Sequence, residues 1–385
     1  MKNYCIAWLI PSAASGAHWQ PIWSEFLKAF PNTTFYTTCV WKEFDPTAPY
    51  AKAVKIVGEL KRLFFKKKTD HYGYQSGLMC LPLTIVKYLL DSKPNIIIAN
   101  AFSIWSILAV GLKAILGYKI IILYEGSTPN SDLKDSKVRS ITRKLIAPYV
   151  DAFVANNLGA KQYLRDYLKI SESKIFYRSY LVPDKTSLLA GLSAYRTIPS
   201  RLNNTVFTFI GKLVKRKGLC QLLQACSLLQ KQGYHNFSFL IIGESSEQEM
   251  WQQQAKELGL EQKIIWMGRC SYGCLGLYLK QTDIFVFPSL EDAWGMVVLE
   301  AMTFGRPILC SKQAGASEMV IHGENGYLFD PFEPKQLAEL MQRLIEQPKL
   351  INQMGQRSQQ LIAEHTPVLV KDFFEEVISQ LMAVK

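Results

Sequence analysis

The sequence has few acidic residues relative to basic ones, and its cysteines are not paired. Its 44 Lys and Arg residues outnumber its 32 Asp and Glu residues, which gives a net charge of +12. The eight cysteines are scattered singly along the chain, so they do not form a disulfide scaffold. Cys270 and Cys274 lack a second ligand pair nearby, which argues against a zinc site. These features favour a reducing cytoplasm and anionic partners.

A signal peptide and a transmembrane helix are also not expected. Met1-Lys-Asn-Tyr leads directly into a short predicted strand. The long apolar region from Ile96 to Leu123 divides into a strand, a helix that stops at Gly117, and a second strand. Parallel strands have continuous apolar sequences because both of their faces are buried, so we predict a βαβ unit here. We therefore expect a cytoplasmic protein, with peripheral contact to the inner face of the membrane as an open alternative.

The chain has the length and the apolar content of two globular α/β domains. Its 385 residues exceed one ordinary domain, and 49% of them are hydrophobic. Strand and helix patterns alternate from Tyr4 onward and restart at Val206. We place the linker between the two domains in the polar stretch 183–199, which has poor periodicity.

The strongest local charge feature is the segment Lys52–Lys68, which contains seven basic residues and one acid, Glu59. Apolar residues are interleaved with the basic ones, and this pattern predicts a basic amphipathic helix. Two interpretations stay open: contact with an anionic membrane surface, or an ordinary helix with a solvated basic face. Nucleic-acid binding is not expected, because no nucleic-acid module accompanies the charge.

Two carboxylates stand in the block that follows the predicted strand at 284–287. Asp292 precedes a helix predicted from about Trp294 to Phe304, and Glu300 lies near the middle of that helix. If the whole span were helical, the two would be roughly 12 Å apart, too far to share a proton. That separation suits the two ends of a long polyhydroxylated ligand. The alternative is that Asp292 is only an N-cap and Glu300 a surface residue.

Anionic groups are favoured at two places near these carboxylates. The backbone N–H groups of Trp294, Gly295 and Met296 open the helix, where an anion is stabilised. Gly211-Lys-Leu-Val-Lys-Arg-Lys-Gly218 follows a predicted strand and precedes a helix, so its cations and glycines can form a phosphate cradle. A solvated basic loop is the alternative for this second segment.

These motifs resemble the signature of retaining glycosyltransferase family four. The family pattern is Glu-x7-Glu followed by Ala-Met-x-x-Gly, and here Asp292 and Glu300 take the two Glu positions. The resemblance implies that Asp292 contacts the donor sugar and that Glu300 binds the nucleotide ribose. The family's Gly-Arg-Leu-x-x-x-Lys-Gly pattern matches Gly211–Gly218, which implies that Lys212 and Lys217 contact the donor diphosphate.

The resemblance implies further site residues outside these motifs. The donor side includes Gly211, and Arg269 and Cys270 follow a strand where the family places the nucleobase. Gly16 lies in the loop after the first strand, where the family has paired glycines. Glu125 stands near the point where the family commonly has His, so it is a candidate acceptor-side acid.

The fold implied is GT-B, with two Rossmann-like domains that face each other across a cleft. The implied boundaries are 1–185 for the acceptor domain, 186–365 for the donor domain, and 366–385 for a helix that packs back on the first domain. The implied reaction moves a sugar with retention from a UDP- or GDP-sugar to an acceptor hydroxyl, in glycan or glycolipid biosynthesis.

Expected partners are the nucleotide-sugar donor and a sugar, glycan or lipid-linked acceptor. No Asp-x-Asp motif stands out, so we expect no cofactor and no metal requirement. Two other classes stay open on the same fold: a sugar-nucleotide epimerase or phosphorylase, and a non-catalytic nucleotide-sugar-binding protein.

Overall fold

A computed structural model describes residues 3–14, 16–64, 77–128, 132, 136–191 and 204–383. The chain divides into two compact units. The first contains the described residues up to Val182 together with the C-terminal segment from Pro367, and the second contains Pro183–Thr366. Strands and helices are numbered below in chain order.

The first unit is built on a seven-stranded parallel sheet. Its strands are β1 (Ile6–Leu9), β2 (Thr33–Thr37), β3 (Val54–Ile56), β6 (Ile96–Asn100), β7 (Lys119–Tyr124), β8 (Ala152–Ala155) and β9 (Ile175–Tyr177). They are arranged in the order β3-β2-β1-β6-β7-β8-β9. Strands β1, β6 and β8 are buried along their whole length, as their apolar sequences require. A separate antiparallel pair is formed by β4 (Lys61–Phe64) and β5 (Gly77–Cys80).

Helices cover the first sheet and include the last helix of the chain. They are α1 (Trp19–Ala29), α2 (Ile85–Ser92), α3 (Ile104–Leu116), α4 (Lys137–Ile146), α5 (Leu158–Gln162) and α12 (Pro367–Ala383). Phe374 of α12 packs on Phe26 of α1 and on Trp8 of β1, with ring centroids 5.7 and 5.5 Å apart. These aromatic contacts place the C-terminal helix in the first unit.

The predicted βαβ unit between Ile96 and Leu123 is confirmed. Strand β6, helix α3 and strand β7 follow one another, and the two strands pair in parallel. A capping box between Ser103 and Ser106 begins α3, and Gly117 ends it at a φ of 70°. Among the described residues, no helix combines the length and the apolar content that a membrane crossing requires.

The predicted amphipathic helix over Lys52–Lys68 is wrong in its described part. Val54–Ile56 forms the edge strand β3, which pairs with β2, and β4 begins at Lys61. Gly58 has a φ of 70°, which no helix residue adopts, and the backbone of β3 finds its hydrogen bonds in the sheet. Residues 65–68 lie outside the described residues.

The second unit is built on a six-stranded parallel sheet. Its strands are β10 (Thr205–Ile210), β11 (Phe237–Ile242), β12 (Ile264–Gly268), β13 (Ile284–Phe287), β14 (Ile308–Ser311) and β15 (Gly326–Phe329), in the order β12-β11-β10-β13-β14-β15. Its helices are α6 (Leu219–Lys231), α7 (Gln248–Glu257), α8 (Leu275–Lys280), α9 (Met296–Thr303), α10 (Pro334–Glu346) and α11 (Pro348–Ile362). Strands β10 and β13 are neighbours, so the loops that follow them meet at one edge of the sheet.

Candidate active site

The loops after β10 and β13 approach each other closely at the carboxyl edge of the second sheet. Gly218 has a φ of 73°, and a Cβ atom at this position would lie 1.9 Å from the carbonyl oxygen of Pro288. Only glycine therefore allows this approach. The N–H of Leu290 donates to the carbonyl of Arg216 at 2.8 Å and joins the two loops.

An ion pair links the two loops. The Lys217 ammonium donates to the Asp292 carboxylate, and the guanidinium of Arg216 lies 3.8 Å from the same carboxylate. The side chains of Lys217 and Asp292 are only 13% and 14% exposed. Burial lowers the pKa of Lys217, and the charge of Asp292 opposes this shift. The sequence predicted that Lys217 contacts the diphosphate and Asp292 the sugar of the same donor, and in the structure without a ligand the two side chains bind each other.

Arg216 is a member of this cluster that sequence reasoning missed. Its Nη1 also donates to the carbonyl of Glu291 at 3.4 Å. The sequence did contain a signal for Arg216, because this residue lies in the same basic run as Lys217. Lys212 is exposed, and its charge contributes to lowering the pKa of Lys217. Two cations therefore lie at the Asp292 carboxylate, and the charge of Lys212 acts on one of them.

The amide groups at the start of α9 are partly used within the protein. The helix begins at Met296, two residues later than predicted, because Gly295 has a φ of 103°. The N–H of Trp294 donates to Asp292 Oδ1 at 3.3 Å. Within the described ranges, the N–H groups of Gly295 and Met296 have no hydrogen-bond partner. Two of the three predicted amides can therefore donate hydrogen bonds to an anion.

Glu300 is a buried carboxyl group on α9. It is 4% exposed, and none of the described residues donates a hydrogen bond to it. Burial raises the pKa of Glu300 to about 8. Its charge contributes to raising the pKa of Cys270, which burial brings to about 12, and the pKa of Tyr272. The Tyr272 hydroxyl is buried and has no partner in the described part of the chain.

The other predicted donor-side residues lie at the same sheet edge. Gly211 follows β10 directly, and its N–H donates to the carbonyl of Ile242 at 2.9 Å. Arg269 follows β12, is exposed, and lies 3.7 Å from Glu244. Cys270 is half-buried. Sequence reasoning missed Tyr272, and nothing in its local pattern signals a buried hydroxyl.

The predicted acceptor-side residues lie at the carboxyl edge of the first sheet. Gly16 follows β1, and its N–H donates to the carbonyl of Ala13 at 2.9 Å. Glu125 follows β7 and interacts with Asn100 at the end of β6. Surrounding protein atoms raise the pKa of Glu125, and the interaction with Asn100 opposes that shift. Burial lowers the pKa of His18, in the same loop as Gly16, to about 4, so this imidazole is neutral at pH 7.

Comparisons with known proteins identify relatives of part of this chain. Residues 196–361 match the model of the family described as glycosyl transferases group 1. An uncharacterized glycosyltransferase of Haemophilus influenzae is 30% identical over 162 residues, which cover 41% of this chain and 44% of the relative. The capsular polysaccharide biosynthesis glycosyltransferase CapM of Staphylococcus aureus is 28% identical over 185 residues, 45% of this chain and 48% of CapM. The chain thus spans about half the length of the curated relatives that it matches.

The fold is similar to that of solved structures over nearly the whole chain. HepE of Anabaena in complex with UDP aligns with a TM-score of 0.76 at 18% identity, covering 97% of this chain and 99% of HepE. The predicted GT-B fold is confirmed: the chain has two Rossmann-like units with parallel sheets. The chain therefore has the GT-B fold, and its residues 196–361 are similar to the glycosyl transferases group 1 family.

Proposed function

We propose that the protein transfers a sugar with retention from a nucleoside diphosphate sugar to an acceptor hydroxyl, and that the second unit binds the donor. The observation that carries this proposal is the convergence of cations and open amides at one sheet edge. Arg216 and Lys217 lie beside Asp292, and the N–H of Trp294, directly before the open amides of Gly295 and Met296, donates to the same carboxylate.

The diphosphate of the donor would lie against these positive groups. Negative charge accumulates on a nucleoside diphosphate when it leaves the sugar, and fixed donors at that position stabilise the transition state. Arg216 and Lys217 both lie at the single carboxylate of Asp292, and the charge of Lys212 acts on Lys217. The net positive charge of this cluster would stabilise the leaving diphosphate. The proposed reaction therefore needs no metal ion or cofactor to supply that charge.

The proposed retaining mechanism uses the leaving phosphate oxygen, not a protein carboxylate, to accept the proton of the acceptor hydroxyl. Asp292 is poorly suited to be a base or nucleophile, because Lys217 and the Trp294 N–H already donate to its carboxylate. We therefore assign Asp292 first to holding Lys217 in place. The remaining lone pairs of the Asp292 carboxylate would accept a hydrogen bond from a hydroxyl of the donor sugar.

The nucleotide ribose would bind Glu300. A buried carboxylate without a donor is unfavourable, and two ribose hydroxyls can donate to it. The Tyr272 hydroxyl, also buried without a partner, is a second group for the nucleotide. HepE has been solved with UDP and with UDP-glucose, so uridine nucleotides are the first donors to test. CapM is named for capsular polysaccharide biosynthesis, which makes a glycan or lipid-linked acceptor our first choice.

The test compares two lysines of the same loop. Lys217→Met should lower kcat/KM for release of UDP from UDP-glucose by about 10² or more, because the buried ammonium acts on the leaving group. Lys215→Met is the matched control, since Lys215 is exposed, and we expect a change within about threefold. A thermal-shift series with UDP, GDP and ADP, with and without EDTA, identifies the base and tests metal independence.

Equal activity of the Lys217→Met and wild-type proteins would contradict the role of Lys217 at the diphosphate. Analysis of the sugar product separates the proposed transfer from epimerisation and from donor binding without turnover. Absence of any thermal shift with all three nucleotides would contradict donor binding by the second unit.

A further inference from the structure

Helix α4 of the first unit turns an apolar side outward. Val138, Ile141 and Leu145 are 76%, 57% and 65% exposed. At about 100° per residue, the three side chains fall within a sector of about 60° and form one stripe. We name this stripe, Val138, Ile141 and Leu145, the outer face. Soluble helices normally bury such a stripe against the core.

The opposite side of α4 is fixed by a buried arginine. Arg143 is 9% exposed, and its Nη1 donates to the carbonyl of Asp132 at 2.6 Å and to the Tyr163 hydroxyl at 2.7 Å. Its guanidinium also lies over the rings of Phe102, Tyr124 and Tyr163, 5.3 to 5.9 Å from their centroids. Rotating the helix to bury the outer face would break all of these contacts. The outward direction of the apolar stripe is therefore built into the fold.

The residues that form α4 and the turn after it carry only positive charge. Residues 136–149 contain four cations and no acidic residue. Lys137 and Lys144 are exposed, and the helical repeat places both along one border of the outer face. Tyr149 is 63% exposed one turn beyond Leu145, and tyrosine favours the boundary between water and hydrocarbon.

We propose that the outer face of α4 lies on an anionic phospholipid bilayer. Apolar residues on one side of a helix with lysines at its border are typical of helices that lie in the membrane interface. A second copy of the chain fits less well, because a two-fold contact would bring the same lysines together without an acid from this helix to pair with them. This surface belongs to the first unit, whereas the proposed donor site belongs to the second unit. The membrane proposal therefore goes beyond the proposed function.

The test is flotation of the full chain with vesicles of phosphatidylcholine alone or mixed with phosphatidylglycerol. The wild type should bind the mixed vesicles, and Val138→Gln/Ile141→Gln/Leu145→Gln should reduce the partition coefficient at least tenfold. The control Leu83→Gln/Ile115→Gln/Met250→Gln removes three exposed apolar side chains from three different segments, and we expect a change within twofold.

Charge is tested separately from apolar contact. Lys137→Glu/Lys144→Glu should weaken binding on the order of 30-fold at low salt. Its matched control is Lys280→Glu/Lys349→Glu, which changes the net charge equally at exposed lysines of the second unit. UDP binding, measured on every variant, reports whether the second unit is intact and keeps this result independent of the donor proposal.

Three results would overturn the membrane proposal. The first is a wild type that does not float with the anionic vesicles, and the second is an outer-face variant that floats as well as the wild type. The third is a wild-type dimer that the outer-face variant converts to a monomer, which would make a second copy the occupant. If the triple variant does not fold, Ile141→Gln and the lysine pair decide between these outcomes.

Discussion

Replacing Glu300 with Gln should stabilise the protein in the absence of ligand. The ordinary pKa of a glutamate is 4.5, and burial raises that of Glu300 to about 8. Between these two pH values the folded protein holds a proton that the unfolded chain has released. The free energy of unfolding therefore falls as the pH rises, by about 1.4 kcal/mol per pH unit. Glutamine does not ionise, so the Glu300→Gln variant does not lose this stability as the pH rises.

The expected difference between the two proteins grows with pH. From the two pKa values, wild type should be less stable than Glu300→Gln by below ~1 kcal/mol at pH 5 and by about 3 kcal/mol at pH 7. Urea unfolding at pH 5, 6, 7 and 8 measures this difference. Glu261→Gln is the control, because Glu261 is exposed and its replacement should change stability by less than about 0.5 kcal/mol at every pH.

The same variant should lose function while it gains stability. If the ribose hydroxyls donate to the Glu300 carboxylate, UDP should stabilise Glu300→Gln much less than wild type in a thermal-shift experiment. Parallel pH dependence of wild type and Glu300→Gln would refute the reasoning, because it would show that the carboxyl does not titrate from a buried, unpartnered site. A variant less stable than wild type at pH 7 would refute it as well.

Two further substitutions test the geometry around the site. Gly218→Ala should destabilise the protein by on the order of 3 kcal/mol or more in urea unfolding, because the new Cβ would collide with the Pro288 carbonyl; Gly233→Ala, also at positive φ but in open space, should cost only about 1 kcal/mol. Tyr272→Phe removes a buried hydroxyl without a partner, so stability should stay within ~1 kcal/mol of wild type. UDP affinity of this variant, measured by calorimetry, should fall about tenfold, and unchanged affinity would remove Tyr272 from the nucleotide site.

Sequence patterns predicted the strands and helices where local signals and tertiary contacts agree. The βαβ unit from Ile96 to Tyr124 is one case, because a cap at Ser103 and a stop at Gly117 separate its apolar runs. The Lys52–Lys68 segment is the opposite case. Its apolar spacing fits a helix. The structure instead pairs β3 with β2, a strand some twenty residues earlier, and local periodicity contains no information about that partner.

The candidate site was predictable as a set of residues but not as an arrangement. Motif positions named Asp292, Lys217 and Glu300. The pairing of Asp292 with Lys217, which are 75 residues apart, depends on the approach of two loops that Gly218 permits. The segment that contains Tyr272 likewise approaches a distant segment at Gly273, where a Cβ atom would lie 2.7 Å from the backbone nitrogen of Gly191. Such contacts between distant segments have no local signal.

Helix α4 shows why a periodic pattern predicts a helix more reliably than its orientation. Burying Val138, Ile141 and Leu145 would satisfy the pattern, yet the structure buries Arg143 instead. The cost of burying a guanidinium is offset here by hydrogen bonds to a carbonyl and two tyrosine hydroxyls and by three aromatic rings, all supplied by other segments. Because these partners fix the inner side, the apolar side stays exposed. At α4, exposed lysines border an exposed apolar stripe, and this is the combination that a bilayer surface binds.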